Sequence, residues 1–146
     1  KCFNAQIGEI DYREDHVFTF AEGLIGFEQL RKFVVISDPE TEPFRWLVSI
    51  EDEGICLPIL DPNLVIANYD GLNMFPEDAT VAVVASLKQP VEESTVNMRS
   101  PILFNKNLRA GKQIILPDER LAIQHKFVGE PYMAEPHMAE PHIAIV

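Results

Sequence analysis

Short apolar runs recur along this chain at intervals of about ten residues, and turn-forming residues separate them. In residues 44–50, the side chains of Trp46, Val48 and Ile50 share one face, because successive residues of a strand point to opposite sides. Similar runs occupy residues 55–60, 80–87, 94–98, 101–105, 112–117 and 121–127. Strands at this spacing, with no long helical pattern between them, predict an all-β, antiparallel sandwich or barrel of about eight strands.

The same alternation predicts which side chains form the core. The larger apolar residues on one face of each run are expected to be buried, namely Trp46, Val48, Ile55, Leu57, Ile59, Val83, Ile115 and Ile123. The charged segment at 51–54 lies between two runs and is typical of a hairpin turn. Pro58 lies within a run and indicates an edge strand or a bulge, because proline has no N–H to donate.

Helical signals are short. Phe27, Leu30 and Val34 are spaced by three and four residues, which is enough for one or two helical turns. In residues 61–71, Asp61 is a candidate N-cap, and Pro62 suits the first helical position. Gly71 would follow the end of that helix. Val65 and Ile66 favour a strand, so this segment is compatible with both a short helix and an extended conformation.

Two glycines, Gly23 and Gly26, lie between two strand-like runs in residues 18–36. A Gly-x-x-Gly element can cradle a phosphate when a helix N-terminus follows it. Here no strong helical pattern follows, and Glu22 and Glu28 would repel an anion. We therefore expect both glycines to shape a turn with positive φ angles.

The charge of the chain is unevenly distributed. The 146 residues suffice for one domain, which can bury a core without disulfides or a metal. Residues 1–80 hold 16 acidic and 5 basic side chains, a net charge of −11, whereas residues 81–146 hold 7 of each. A negative field of this kind repels nucleic acid and attracts basic proteins. The sequence therefore predicts no direct binding of RNA or DNA, although an acidic face kept for solubility explains the same pattern.

No arrangement of reactive residues indicates an enzyme. Cys56 is expected to be a small core residue and Cys2 a free thiol, as in the reducing cytoplasm. His137 and His142 are five residues apart in a segment broken by proline, which is poor geometry for two ligands of one metal ion. No apolar run approaches the roughly 20 residues of a membrane span. The N-terminal residues lack an apolar signal region, so a cytoplasmic location is expected.

We divide the chain into a β domain at residues 1–128 and an extended tail at 129–146. The tail contains MAEPH twice, at 133–137 and 138–142, and each proline is unfavourable for a helix or a central strand. The last four residues, IAIV, are expected to pair as a strand on their own sheet or on a neighbouring copy. The second arrangement would make the tail a route to self-association.

Three segments in register resemble one protein family. The segment GLIGFEQLRKFVVISD has a GLPGF-like element, with Ile25 in place of the usual proline. LPILDPNLVIANYD and TVNMRSPILFNKNLRAGKQIIL carry the other matching residues, which are Asp61, Pro62, Tyr69, Val96, Asn97, Met98, Pro101, Asn105, Gly111 and Gln113. Together they resemble the FliW family of flagellar assembly factors between residues 5 and 127. The short segment at 70–78, where that family has a longer acidic stretch, and the repeated tail depart from the pattern.

The resemblance implies a small β pseudo-barrel with one or two short helices and without catalytic activity or a cofactor. Members of this family bind flagellin, the filament subunit, and the RNA-binding translational regulator CsrA. Flagellin that accumulates in the cytoplasm occupies the FliW-like protein and frees CsrA, which then represses flagellin synthesis. The acidic character of the chain suits contact with the basic surface of an RNA-binding protein.

Candidate site residues follow from this resemblance and from residue chemistry. The apolar candidates for contact with flagellin are Phe27, Leu57, Ile59 and Phe75, although Leu57 and Ile59 also belong to the expected core. The acidic candidates for contact with CsrA are Glu40, Glu42, Asp61 and Asp70. The signature residues are expected to serve structure and comprise Gly23, Gly26, Pro62, Tyr69, Asn97, Pro101, Asn105, Gly111 and Gln113. In particular, Asn97 and Asn105 are expected to satisfy backbone groups beside Pro101.

Two other classes of protein are compatible with the same pattern. A small-molecule-binding β-barrel would need an apolar pocket with converging polar groups. A structural subunit would assemble by exchanging its C-terminal strand.

Overall fold

The computed structural model describes residues 1–73 and 75–126, together with the backbone of residues 144–145. Within these residues the chain is mostly β, with one α-helix, α1 (Tyr69–Asn73), and short 3-10 turns. The first six strands are β1 (Cys2–Asn4), β2 (Gly8–Ile10), β3 (Phe18–Phe20), β4 (Lys32–Ser37), β5 (Arg45–Ser49) and β6 (Cys56–Leu60). The others are β7 (Ala79–Ser86), β8 (Thr95–Val96), β9 (Ile102–Asn105), β10 (Ala110–Gln113), β11 (His125–Lys126) and β12 (Ala144–Ile145).

Seven strands close into a barrel. They pair in the order β7-β6-β5-β4-β3-β10-β9, and β9 returns to β7 to complete the circuit. Closure leaves no exposed sheet edge where all strands are fully paired. The pairs are antiparallel except β3 and β10, which run parallel with Ala110 opposite Thr19. The all-β barrel predicted from the sequence is confirmed, and the parallel pair is a feature that the alternation did not predict.

The core has three parts. Phe18, Phe20, Phe33 and Phe104 fill the barrel interior, where their rings meet edge to face. A second cluster, which includes Tyr69, Val83, Val96, Met98 and Leu116, packs between the barrel wall, β8 and α1. The third places Trp46, Val48 and Ile36 beneath the N-terminal hairpin formed by β1 and β2. Each wall therefore carries apolar residues on both faces, which explains its nearly continuous apolar runs.

The helical predictions were partly wrong. Residues 27–34 form no helix, because β4 begins at Lys32 and its branched residues Val34, Val35 and Ile36 favour a strand. In the next segment, the Asp61 carboxylate accepts a bond from the backbone of Asn63 and caps a 3-10 turn at Pro62–Leu64, as predicted. Gly71 lies inside α1 rather than after it.

Six of the eight predicted core residues contribute to packing and two do not. Trp46, Val48, Ile59 and Val83 are buried, and Ile55 and Leu57 are half-buried at the barrel wall. Ile115 is 68% exposed, so its predicted burial was wrong. The strand predicted at 112–117 ends as β10 at Gln113, and the backbone of Leu116 then bonds to Arg99, which turns Leu116 inward and Ile115 outward.

Ile123 is also exposed, with 58% of its surface accessible, and its predicted burial was likewise wrong. The strand predicted at 121–127 is reduced to β11, which pairs with β8. Residues 121–124 are irregular, with a turn at 123–124, and the backbone of Met98 donates to the carbonyl of Ala122. Ile123 therefore lies on a turn, outside the alternation that would have directed it inward.

The end of the tail pairs with its own sheet. Ala144 lies opposite Ser37 and Ile145 opposite Ile36 in an antiparallel pair with β4. This is one of the two arrangements expected for IAIV. The prediction of an extended conformation for 129–142 falls outside the described residues.

Candidate functional site

The Gly-x-x-Gly segment is a tight turn at one end of the barrel. Gly23 and Gly26 both have positive φ angles, of 68° and 90°, as predicted. The backbone of Phe27 donates to Leu24 at 2.8 Å, which closes a type II turn with Gly26 at its third position. The Glu28 carboxylate accepts from the backbone of Gly26, and this bond lowers the pKa of Glu28. A carboxylate already occupies the turn, so a phosphate would be repelled.

The end of the barrel away from this turn opens into a cavity of about 310 Å³, which we call the charged mouth. Its floor is the apolar interior of the barrel and includes Phe18, Val35, Ile59, Ala82 and Phe104. Charged side chains of both signs stand at its rim, namely Glu42, Arg45, Asp61 and Lys106. The mouth thus combines an apolar floor with a polar edge, the arrangement that orients bound segments or ligands.

Arg109 braces the floor of the charged mouth. Its guanidinium lies 3.9 Å from the ring centroid of Phe18, and it donates to the carbonyl of His16 at 2.7 Å. Arg109 itself adopts a φ of 49°, an unusual value for a residue with a side chain. Burial lowers the pKa of Arg109. The cation therefore fixes the ring that forms the floor.

The other end of the barrel, where the Gly-x-x-Gly turn lies, carries a cleft of about 270 Å³, which we call the uncharged cleft. It forms where the sheet splits, because β7 pairs with β6 through Val83 and Val84 but with β8 through Ala85 and Ser86. None of the described residues that line this cleft is charged. The lining residues are Leu24, Ile25, Phe27, Leu57, Val84, Ala85, Ser86, Thr95, Asn97, Gln113, Ile123 and Gln124. Such a cleft suits an apolar segment with hydrogen-bonding groups.

Two signature amides hold the wall of the uncharged cleft. The Gln113 side chain accepts from the backbone of Ile25 at 2.8 Å and donates to the carbonyl of Ser100 at 3.0 Å. The Asn97 side chain accepts from the backbone of Arg99 and of Ser100, each at 3.1 Å. These bonds lie just before Pro101, where a structural role for Asn97 was expected.

Tyr69 ties α1 to the rest of the fold. Its side chain is fully buried, and its hydroxyl donates to the carbonyl of Met98 at 2.6 Å. Burial, and then the neighbouring charge of Asp70, raises the pKa of Tyr69 to about 12. Phe75 stacks on Tyr69 with ring centroids 5.9 Å apart. Phe75 therefore belongs to the packing of this segment and lines neither cleft.

The predicted acidic residues do not form a single cluster. Glu42 and Asp61 meet at the charged mouth. Asp70 is linked to Asp61 through Asn63, whose side chain donates to Asp61 at 2.8 Å and accepts from the backbone of Asp70 at 3.1 Å. Glu40 is exposed in the 3-10 turn at Pro39–Thr41, outside both clefts.

The apolar predictions are divided between the two ends. Phe27 and Leu57 line the uncharged cleft, whereas Ile59 is only 3% exposed at the floor of the charged mouth. Contact of Ile59 with a partner stays a prediction, and its side chain packs with the barrel interior, as the competing core assignment expected. Exposed apolar residues outside the strands that were proposed neither for the site nor for the core are Ile25, Leu64, Leu72 and Leu108. Alternation gave no signal for them, because they lie in turns or on α1.

The remaining signature residues have structural contacts. Asn105 accepts from the backbone of Leu108 and donates to the Asp78 carboxylate, so it closes the turn after β9 rather than serving the groups beside Pro101. Gly111 faces the Phe20 ring so closely that a Cβ atom would lie 2.2 Å from the ring. Pro62 is buried in its 3-10 turn. Asn105, Gly111 and Pro62 therefore each make contacts within the fold.

Reactive groups are sparse in the described part of the chain. No three His, Cys, Asp or Glu side chains there are grouped to hold a metal ion. Burial raises the pKa of Cys56 to about 12, which keeps its thiol protonated at neutral pH. No helix of residues 1–73 or 75–126 has the length and apolar character that crossing a membrane requires.

The fold defines a small β-barrel protein that carries one cleft of mixed charge and one uncharged cleft. Comparison with known proteins places this barrel in a family. The family model described as FliW protein matches residues 1–127. The chain belongs to the FliW family of flagellar assembly factors.

Individual relatives agree. The flagellar assembly factor FliW of Thermosipho africanus is 46% identical, over 85% of this chain and 93% of the relative. The FliW of Thermotoga neapolitana is 35% identical, over 84% of this chain and 90% of the relative. A crystal structure of the flagellar assembly factor FliW superposes with a TM-score of 0.73, covering 84% of this chain and 93% of that one, at 24% identity. That structure supports the barrel fold.

Proposed function

We propose that this chain is a non-enzymatic cytoplasmic protein that binds flagellin and the translational regulator CsrA in turn. Binding of flagellin would release CsrA through negative coupling between two separate surfaces of the barrel, and the released CsrA would repress flagellin synthesis. Family membership supports the role in flagellar assembly. The observation that carries the two-partner proposal is the presence of two clefts of different chemistry at opposite ends of one barrel.

The uncharged cleft is our candidate surface for flagellin. Subunits awaiting export are expected to present apolar segments that are not yet packed into a filament. Leu57 and Phe27 supply apolar contact area, and Ile25 and Ile123 extend it with 53% and 58% of their surfaces exposed. Burial of such residues contributes about 25 cal/mol per Å² of apolar area removed from water. An interaction of this kind depends little on salt.

The acidic half of the chain is our candidate surface for CsrA. Glu42 and Asp61 stand at the charged mouth, and the Asn63 link places Asp70 close to Asp61. A regulator that binds RNA carries basic surface, and complementary charge speeds and orients its docking. Exposed charge pairs are screened over about 8–10 Å at physiological ionic strength. Binding of CsrA should therefore weaken as salt is raised.

Paired substitutions test this division of surfaces. We expect Asp61→Asn with Glu42→Gln to weaken binding of CsrA and reduce its salt dependence, while binding of flagellin stays within about twofold. Because asparagine caps about as well as aspartate, the turn at Pro62 should be retained with a change in stability of about a few tenths of a kcal/mol, which is measured alongside. Asp118→Asn, which removes a remote acidic charge, is the matched control.

The apolar surface has its own pair of variants. Phe27→Ala should weaken flagellin binding severalfold, with CsrA binding retained. Leu108→Ala serves as control, because Leu108 is 75% exposed and its side chain does not line the uncharged cleft. If the variant of the charged mouth or the variant of the uncharged cleft lost affinity for flagellin and CsrA equally while remaining folded, the assignment of the two partners to separate clefts would be contradicted. If the unsubstituted protein, purified from a flagellated bacterium, carried neither flagellin nor CsrA with it, the proposed function itself would be contradicted.

A further inference from the structure

Strand β4 is paired along the whole of one edge but only in parts along the other. On the first edge β5 pairs with every residue from Phe33 to Ser37. On the second, β3 pairs only with Lys32 and Phe33, because the chain before Phe18 turns away in a 3-10 turn at Glu14–His16. The second edge of residues 34–37 is thus left to another strand, and β12 pairs there with Ile36 and Ser37.

The backbone of β4 presents hydrogen-bonding groups on this second edge. The carbonyl of Lys32 accepts from Ile50, on the side of β5, whereas that of Arg31 accepts from Phe20 in β3. Backbone direction alternates along a strand. The odd-numbered residues Val35 and Ser37 therefore direct their N–H and C=O groups away from β5, to the edge that β12 occupies.

This edge runs directly beside the charged mouth. Val35 and Phe18, from the two strands that meet there, both line its apolar floor. Antiparallel register places a residue of an added strand opposite Ser37 and the residue two positions further opposite Val35. Paired residues project to the same face of a sheet. The residue opposite Val35 would therefore extend over the mouth, so that backbone pairing and a side-chain pocket act together.

We propose that residues 34–37 of β4 form a strand-addition site for an extended, uncharged apolar segment of a partner protein, and that β12 occupies this site in cis. The seated segment indicates the chemistry of the partner, because β12 lies within the uncharged sequence IAIV. The partner must expose at least three consecutive residues free of proline, with a branched apolar residue opposite Val35. Its binding requires release of β12.

Competition in cis makes a quantitative prediction. The apparent affinity for an added strand falls by the fraction of molecules in which the site is open. If β12 is seated in nine molecules of ten, unseating it tightens binding of a competing peptide about tenfold. This competition is independent of the identities proposed for flagellin and CsrA, since it concerns the edge of β4 and the chain's own C-terminus.

A fluorescent peptide tests the site on the full-length chain. The probe is PHIAIV, the sequence of residues 141–146, with a dye at its N-terminus. The chain carries Ala144→Pro, which removes the N–H that β12 directs towards Ser37 and so disfavours its seating. Fluorescence anisotropy should show the probe binding this variant about tenfold more tightly than the unsubstituted chain. Unchanged thermal unfolding of the variant confirms that the barrel is intact.

Two controls locate the binding. Ser37→Pro, added to the Ala144→Pro chain, removes the Ser37 N–H from the open edge while leaving the pairs with β5, and should abolish probe binding. A probe with proline in place of its alanine should bind neither chain. Equal affinity of PHIAIV for the chains with and without Ala144→Pro, or no binding to either, would overturn the proposal. Dimerisation of the Ala144→Pro chain without probe binding would assign the edge to a second copy and also overturn it.

Discussion

Gly111→Ala tests the packing on which the barrel depends. A Cβ atom at this position would lie 2.2 Å from Cζ of Phe20 and within 2.6 Å of both neighbouring ring carbons. Ordinary contact begins at 3.4 Å, so the ring must retreat by more than an ångström. Phe20 is completely buried and meets Phe33 and Phe104 edge to face, with centroids 5.3 and 5.9 Å away. The ring therefore has no open space into which to move.

The expected cost follows from these contacts. Overpacking of a filled core costs about 1–3 kcal/mol, and each disturbed aromatic pair about 0.5–1.5 kcal/mol. We expect Gly111→Ala to destabilise the protein by about 3 kcal/mol. At about 2–4 °C per kcal/mol for a chain of this size, the Tm should fall by about 6–12 °C. Thermal unfolding followed by circular dichroism measures the Tm, and urea titration measures the free energy of unfolding.

Two further variants separate the clash from other effects. Gly54→Ala is the matched control, because a Cβ there meets only the Asp52 side chain, at 3.3 Å. Its Tm should change by less than about 2 °C. Phe20→Leu destabilises alone, but combined with Gly111→Ala it should cost at least about 1 kcal/mol less than the sum of the single variants. Additive costs, or an unchanged Tm for Gly111→Ala, would refute the reasoning.

Three other predictions concern single groups. Tyr69→Phe should cost about 1–3 kcal/mol at neutral pH, because the buried carbonyl of Met98 loses its donor. The pKa of Tyr69 is raised from 10 to about 12 in the folded protein, so between these pH values the hydroxyl loses its proton more readily in the unfolded chain. The free energy of unfolding should therefore fall by up to about 1.4 kcal/mol per pH unit as the pH rises from 10 to 12. Urea titrations should show that Tyr69→Phe lacks this loss. Ile25→Pro should change the free energy of unfolding little, because two effects oppose each other. Proline at the second position of the type II turn stabilises by about 0.4–1 kcal/mol, but it removes the N–H that donates to the Gln113 side chain. In a Gln113→Ala background the same substitution should stabilise, and an equal effect in both backgrounds would contradict the proposed bond. Cys56, whose pKa is raised to about 12, should resist alkylation at pH 8 in the folded protein, and rapid modification detected by mass spectrometry would show that it is accessible as a thiolate.

Much of the barrel could be predicted from alternation, because its walls obey a period of two. The runs around Trp46, Ile59 and Val83 became β5, β6 and β7 with those residues buried. Alternation fails where a strand ends, and it therefore placed Ile115 and Ile123 inside. The parallel pairing of β3 with β10 depends on residues about 90 positions apart, and no local pattern encodes such a contact.

The candidate site was less predictable than the fold. The positive φ angles of Gly23 and Gly26 follow from the lack of a side chain, and the cap at Asp61 from the short reach of a carboxylate. The clefts follow instead from tertiary events. The uncharged cleft exists because β7 changes partners between Val84 and Ala85, and neither residue differs in character from its neighbours. Apolar candidates chosen by sequence were therefore divided between the clefts and the core.

The central claim is that flagellin and CsrA exchange on this barrel, and a competition titration tests it directly. CsrA bound to the full-length chain is separated by size-exclusion chromatography, and purified flagellin is then added in increasing amounts at constant salt. We predict stoichiometric loss of CsrA from the complex, and an equal reduction of flagellin affinity when CsrA is added first, because coupling at equilibrium is reciprocal. A stable ternary complex that retains all of its CsrA at saturating flagellin would contradict the account.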